Sequence, residues 1–253
     1  MKLTVVIITY NEERNIERCL KSIVDVADEV IVVDSFSTDE TITICKKYNV
    51  PVVQRKFDGY GNQKQFATEQ ANFDYVLSLD ADEELSMKLK ESILAAKEDS
   101  SEYDCYSFNR RNFCCNKAIR FCGWYPDKQI RMFNKQILNW NDRSVHELIE
   151  VSNKQTIFHL SGDLNHYTCS SIGEQQEKGE KYARISADIV AKKGKSISCV
   201  TPSVKYCFVF FKIYVVKLGF LDGYYGFEIS RNSAKSSFYK YALARKVIRE
   251  SCS

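Results

Sequence analysis

The chain has 253 residues, 44% of them apolar and 27% charged, enough to bury the core of one large domain or of one domain with an appendage. Ten cysteines without a Cys-x-x-Cys pair, several inside apolar runs (Cys19, Cys45, Cys207), argue against a disulfide scaffold and for a reducing, cytoplasmic compartment. The net charge of +3 hides an acidic body with a basic tail: 15 Lys/Arg stand against 7 Asp/Glu from Ser170 onward, and 21 against 26 before it, so the tail invites an anionic partner such as a membrane surface or a nucleic acid.

The chain enters a strand at Leu3 with no n-region or cleavage site, so no signal peptide is expected. Leu3 to Thr9 is a continuous apolar, β-branched run. Asn11 is then expected to cap a helix whose Ile16, Cys19, Leu20 and Ile23 follow the i, i+3, i+4, i+7 stripe. Glu29 to Asp34 repeats the strand, and Ser37 with Glu40 has the capping-box spacing for a helix carrying Ile42, Ile44 and Cys45. Val50 to Phe57 reads as a third strand, Asn62 to Asn72 as a third helix, Tyr75 to Leu79 as a fourth strand and Met87 to Lys97 as an amphipathic helix. Strands alternating with helices predict an α/β fold with a parallel sheet and right-handed crossovers.

From Tyr103 the sequence turns aromatic, Asn-rich and Arg-rich, as expected of mixed strands and loops, and Glu174 to Lys192 is helical again. The tail from Pro202 is rich in aromatics and Lys. Its most apolar stretch, Tyr206 to Leu221, is interrupted by Lys212 and Lys217, so no clean transmembrane span is expected. A segment lying on an anionic bilayer and a helix docked on the domain both suit it. On an ideal α-helix Lys217 would lie about 140° from Lys212, so a single polar stripe is not expected.

The most informative feature is Asp80-Ala81-Asp82 at the carboxyl end of the fourth strand, followed at once by Glu83 and Glu84. Open α/β sheets bind ligands at that end. Carboxylates crowded there call for a cation, and Asp-x-Asp suits Mg²⁺ or Mn²⁺ bridging substrate phosphates. Glu12 follows strand one and Asp34 ends strand two, so both are expected in the same crevice. Neither a Gly-x-Gly-x-x-Gly fingerprint after the first strand nor a P-loop is present, which argues against a Rossmann dehydrogenase or a P-loop NTPase. Asp39 and Glu40 are read as helix caps. Glu83 and Glu84 are read as the start of the next helix, outside the metal shell.

Three motifs in order, Thr9-Tyr10-Asn11-Glu12-Glu13, Val32-Val33-Asp34-Ser35 and Ser78-Leu79-Asp80-Ala81-Asp82-Glu83, resemble family 2 glycosyltransferases of the GT-A fold. Arg131-Met132-Phe133, Val145-His146-Glu147, His166 and Gly219-Phe220-Leu221-Asp222-Gly223 are similar to the branch that adds sugars, glucose among them, to the lipopolysaccharide inner core. The resemblance implies a Rossmann-like, mostly parallel sheet flanked by helices, with a GT-A domain over 1–200, divided into a nucleotide-sugar half (1–102) and an acceptor half (103–200), and a helical C-terminal appendage over 201–253. It implies inverting transfer of a hexose from a UDP-sugar to a lipid-anchored or oligosaccharide acceptor, with Mn²⁺ or Mg²⁺. Thr9, Tyr10, Glu12, Asp34, Lys64 and Asp80 would bind the donor, and Asp82, Asp80 and His166 the metal. Glu147 would be the general base, with Asp127 in reserve.

Trp124, Arg131 and His146 are expected at the acceptor, because sugars stack on aromatic faces and Arg forks suit acidic groups. That reading of the Arg-aromatic stretch is preferred to a nucleic-acid surface, and no nucleic-acid partner is expected. His159 is expected to be structural. The lipid-anchored acceptor makes peripheral contact with the inner face of the cytoplasmic membrane the expected location. A nucleotidyltransferase using the same acidic strand end, and an inactive nucleotide-sugar-binding homologue, are the alternatives.

Overall fold

The computed structural model describes residues 1–99, 103–141, 147–192 and 196–251. Backbone contacts divide the chain into two compact units, Met1–Arg110 with Asp127–His166 and Arg111–Pro126 with Tyr167–Ser253. The units interleave along the chain, whereas the sequence-derived boundaries were consecutive.

The elements run β1 (Leu3–Thr9), α1 (Ile16–Ile23), β2 (Glu29–Asp34), α2 (Thr41–Lys47), β3 (Val52–Gln54), α3 (Tyr60–Gln70), β4 (Tyr75–Asp80), β5 (Glu83–Leu85) and α4 (Met87–Glu98). Then follow β6 (Cys105–Cys114), β7 (Lys117–Ala118), β8 (Asp127–Asn134), β9 (Ile157–Cys169), α5 (Ile172–Lys192), α6 (Thr201–Phe211) and α7 (Gly223–Ser251), with a π-helical turn at Lys212–Val216 and a 3₁₀ turn at Gly219–Asp222. The sheet order is β3-β2-β1-β4-β8-β6-β9-β5, with β7 on β6. The first four are parallel, and β8 pairs antiparallel with both β4 and β6, as does β5 with β9.

In the first unit all seven β1 residues are buried, because both sheet faces are covered. Leu3, Val5 and Ile7 join α1 and α4 in one core, which contains the predicted stripe Ile16, Cys19, Leu20 and Ile23. Val6 and Ile8 face the other way, onto Ala67 and Ala71 of the α3 side. The predicted α/β alternation is therefore present, and it brings the carboxyl ends of β1, β2 and β4 side by side.

Local chemistry moved several expected features. Asn11 does not cap α1: it sits at φ 54°, in the left-handed region that Asn tolerates, and its side-chain oxygen accepts from the Thr38 amide at 2.8 Å. Ser37 does not cap α2, since its hydroxyl donates to Asp34, and Asp39 instead accepts from the Thr41 amide at 3.1 Å. Glu83 and Glu84 do not begin a helix but lie in β5. Ser86 caps α4, accepting from the Leu89 amide at 3.3 Å.

In the second unit α5 and α7 are tied by Asn232 to Gln175 at 2.6 Å and by the Ser236 hydroxyl to the Gly179 carbonyl at 2.8 Å. The Gly219–Gly223 motif is structural here. Asp222 is buried and accepts from the amides of Arg120 and Phe121, at 3.2 and 2.8 Å. Gly226 lets α7 approach that turn so closely that a Cβ would collide with the Gly219 carbonyl.

Helix α5 opens on a capping arrangement: the Ser171 hydroxyl accepts from the Glu174 amide at 3.1 Å, and the Glu174 carboxylate accepts from the Ser170 amide and hydroxyl, both at 2.8 Å. Burial works against the Glu174 carboxylate, but Lys178 and these Ser170 bonds prevail and lower its pKa to about 2. A depressed folded-state pKa gives stability that is present at neutral pH and lost as pH falls toward 2. Glu174→Gln should therefore lower stability by about 1 kcal/mol at pH 7, the usual worth of a cap, with the gap to wild type closing as pH falls. Urea unfolding at several pH values checks this, and a pH-independent gap would contradict it.

Candidate active site

The loops after β1 and β2 are laced together by their polar residues. The Asn11 amide donates to the Ser37 hydroxyl at 2.8 Å, the Glu12 amide to the Thr41 hydroxyl at 2.8 Å, and the Glu13 amide to Asp39 at 3.0 Å. Asp34 lies at the centre, fully buried, accepting from the Ser37 hydroxyl and amide and from Gln54 Nε2 at 3.2 Å. Thr9 is buried, with no hydrogen-bond partner for its hydroxyl among the described residues, while Tyr10 is 58% exposed. The Glu12 carboxylate accepts from Asn15 Nδ2 at 2.7 Å and its carbonyl from the Asn15 and Ile16 amides, so it also shapes the start of α1.

At the end of β4 the carboxylates meet cations supplied by the chain itself. Lys64, on α3 and fully buried, lies 3.0 Å from Asp80 Oδ1 and 3.1 Å from Oδ2, aligned for a hydrogen bond only with Oδ2; Oδ1 is left without an aligned donor. The same ammonium lies 3.0 Å from Glu147 Oε1. Arg131, on β8 and 4% exposed, donates to Asp80 Oδ2 at 3.1 Å and to Glu83 Oε1 at 3.4 Å. Both cations stand over the Trp140 ring, at 5.1 and 5.5 Å from its centroid. Burial pushes the Asp80 carboxyl up, but the charges of Lys64 and Arg131 outweigh it and hold the group well below the usual carboxylate range. Burial equally opposes the Arg131 charge, and Glu83 and Asp80 reverse that, fixing the guanidinium as a cation.

Glu83 is the central residue that sequence reasoning left out. Fully buried on β5, it accepts from the Asp80 amide at 2.9 Å, which fixes the backbone of the acidic triplet. Arg110 approaches Glu83 at 3.8 Å and grips Asp127 Oδ2 through Nη2 at 2.8 Å and Nε at 2.9 Å; Gln129 occupies Asp127 Oδ1 at 2.7 Å. The signal for Glu83 was its place directly after the triplet, read as a helix start. Trp140 and Gln54 had no motif to reveal them.

Asp82 and His166 come together because β5 pairs with β9, Glu83 opposite His166. Their Oδ2 and Nε2 atoms are 3.4 Å apart, with side chains 20% and 14% exposed. One carboxylate and one imidazole make a suitable partial donor set for a divalent cation completed by phosphate oxygens. Among the described residues no group of three His, Cys, Asp or Glu could hold a metal by itself. Asp80 is committed to Lys64 and Arg131, so the fit is to the Asp82 and His166 pair, with Asp80 alongside.

The remaining predicted residues take other places or lie outside the described residues. Arg131, expected to face an acceptor, is turned inward onto Asp80 and Glu83. Trp124 belongs to the second unit, packed beside Cys114, Ile119, Cys122 and Cys169, with its carbonyl accepting from Asn112 at 3.1 Å. His146 lies outside the described residues. His159 Nδ1 is 3.2 Å from the Ser107 hydroxyl, a structural contact.

The family model for glycosyl transferase family 2 matches residues 4–159. An uncharacterized glycosyltransferase of Rickettsia typhi is 31% identical over 264 residues, spanning 97% of this chain and 87% of the relative. The lipopolysaccharide core biosynthesis glycosyltransferase LpsC of Rhizobium meliloti is 28% identical over 205 residues, 77% of this chain and 74% of the relative. Among solved structures, S. aureus TarS 1-349 in complex with UDP aligns with 99% of this chain and 92% of its own at 17% identity and a TM-score of 0.49, a likeness too loose to argue from. A family match across more than half of the chain, joined to a relative alike over nearly all of it, places this protein in glycosyl transferase family 2, as a glycosyltransferase of GT-A fold.

Proposed function

We propose that the protein transfers a hexose, with glucose the first to test, from a UDP-sugar to a lipid-anchored envelope glycan of the lipopolysaccharide inner-core kind, with inversion at the anomeric carbon. The observation that carries this is the meeting of Asp82 and His166 beside the Lys64-bridged Asp80 and Glu147 at the carboxyl ends of the parallel strands. The likeness to LpsC supports the choice of acceptor. That acceptor carries the location with it: a peripheral enzyme on the cytoplasmic membrane. No helix among the described residues is long and apolar enough to cross a membrane.

Thr9, Tyr10, Glu12 and Asp34 hold the uridine, with the buried Thr9 hydroxyl offered to it. Asp82 and His166 hold Mn²⁺ or Mg²⁺, which when bound offsets the charge that develops on the departing diphosphate. Burial opposes a charge on His166, but the neighbouring Asp82 outweighs it and raises its pKa above the ordinary value. Glu147 takes the proton of the acceptor hydroxyl as its oxygen attacks the anomeric carbon and the bond to UDP breaks on the opposite face. Glu147 is preferred to Asp127 because Arg110 and Gln129 already occupy both Asp127 oxygens. Lys64 orients Glu147 and keeps Asp80 ionised. Trp124 and His146 remain the acceptor candidates, while Arg131 is assigned to charge balance.

Asp82→Ala should abolish Mn²⁺-dependent UDP binding in calorimetry without changing thermal unfolding; metal-dependent binding at the wild-type level would remove Asp82 from the metal site. For Glu147→Gln we expect unchanged donor binding and a kcat reduced by about a hundredfold or more, the scale of a lost general base. Near-normal turnover would move that role to Asp127. Lys64→Ala leaves Asp80 and Glu147 without their shared cation and should lower stability by roughly 3 kcal/mol or more. A loss below about 1 kcal/mol in urea unfolding would mean that the network does not depend on Lys64.

A further inference from the structure

Helix α6 and the turns after it carry apolar residues on both faces, although only one face is covered. On the inner face Phe210 and Tyr214 pack against Phe227 of α7, with ring centroids 5.8 and 5.9 Å apart. On the outer face Val204, Phe208, Phe211 and Val215 follow helical spacing and are exposed, Phe208 and Phe211 at 58% and 57%; Phe220, in ring contact with Tyr214, and Leu221 are also exposed, at 46% and 54%. A soluble helix normally turns polar residues outward, so an apolar outer stripe of this length marks an interaction surface.

The charges of the same segment identify what covers it. No Asp or Glu occurs from Ile189 to Leu221, while Lys205, Lys212 and Lys217 do. The next acid, Asp222, is buried against the Arg120 and Phe121 amides. Lys205 lies over the Tyr241 ring, 5.4 Å from its centroid. Lys212 and Lys217 are exposed. The π-helical turn closes with the Lys217 amide donating to the Lys212 carbonyl at 2.9 Å, an i to i+5 bond that departs from the ideal helix, and the Lys217 ammonium lies beside Gly123. An apolar stripe in a segment whose charged residues are all lysines, without carboxylates, matches the boundary between the acyl chains and headgroups of an anionic bilayer. A second copy of this chain would bring the same lysines with no acid in the segment to meet them.

We infer that residues 204–221 are a monotopic membrane-binding element: Val204, Phe208, Phe211, Val215, Phe220 and Leu221 enter the interface of an anionic phospholipid bilayer, and Lys212 and Lys217 bind its headgroups. This deepens the reading of a lipid-anchored acceptor, and it can be tested without the donor chemistry. The full-length protein is floated with vesicles of phosphatidylcholine alone and of phosphatidylcholine with phosphatidylglycerol, at low and high salt. Wild type should bind the anionic vesicles, more weakly as salt rises. At roughly fivefold per lysine, Lys212→Gln with Lys217→Gln should weaken binding by about 25-fold. Phe208→Ser with Phe211→Ser should abolish it, with circular dichroism and UDP affinity unchanged in both variants.

Absence of wild-type binding to either vesicle, or equal binding by wild type and both double variants, would overturn the inference. So would a dimer in light scattering that Phe208→Ser with Phe211→Ser dissolves while vesicle binding persists. Vesicle binding without UDP binding would keep this surface and defeat the donor reading, and UDP binding without vesicle binding would do the reverse.

Discussion

The site depends on charge balance around Asp80. A mostly buried carboxylate at a strand end is tolerable only when its charge is matched, and here the chain supplies two matching cations, Lys64 from α3 and Arg131 from β8. Neither is isolated in turn: Lys64 also meets Glu147, Arg131 also meets Glu83, and Trp140 covers both cations with its ring face. The network thereby links α3, β4, β5 and β8 to the segment carrying Glu147. Positions so constrained are held by the fold itself, the condition that preorganised electrostatic catalysis requires.

The topology explains why these residues converge. Parallel pairing of β1 with β2 and β4 aligns the three carboxyl ends. Antiparallel addition of β8 delivers Arg131 from a remote part of the sequence, and pairing of β5 with β9 sets His166 beside the acidic triplet. Asp82 thus lies beside an imidazole, while Asp80 is held by the lysine and arginine. Two acids one residue apart have different neighbours.

What depended on local periodicity was legible in the sequence. The β1 run, the Ile16 to Ile23 stripe, the position of Asp34 and Asp80 at strand ends and the absence of dinucleotide and P-loop motifs all led to the α/β arrangement observed. What depended on cross-strand partners was not. Asn11 and Ser37 looked like caps because capping residues also serve in loops that hydrogen-bond each other across the sheet end. Glu83 looked like a helix start because a buried acid in a short strand is plausible only once Arg131 is known to lie opposite. The crowding of acids suggested a metal alone, whereas Lys64 and Arg131, separated from Asp80 by 16 and 51 residues, compensate its charge. The i to i+5 closure between Lys212 and Lys217 was invisible to helical-wheel reasoning because it needs a π-turn.

Family membership brings a reaction class, and the proposed roles of Asp82, His166 and Glu147 give it a testable form in which donor binding depends on a metal. The most direct measurement is calorimetric titration of the purified protein with UDP, with and without Mn²⁺, against ADP and GDP as controls. The expected result is binding that requires the metal and favours UDP over both other diphosphates. Binding of UDP that is indifferent to the metal, or no preference for uridine, would contradict the assignment of Asp82 and His166 to a cation that holds a UDP-sugar.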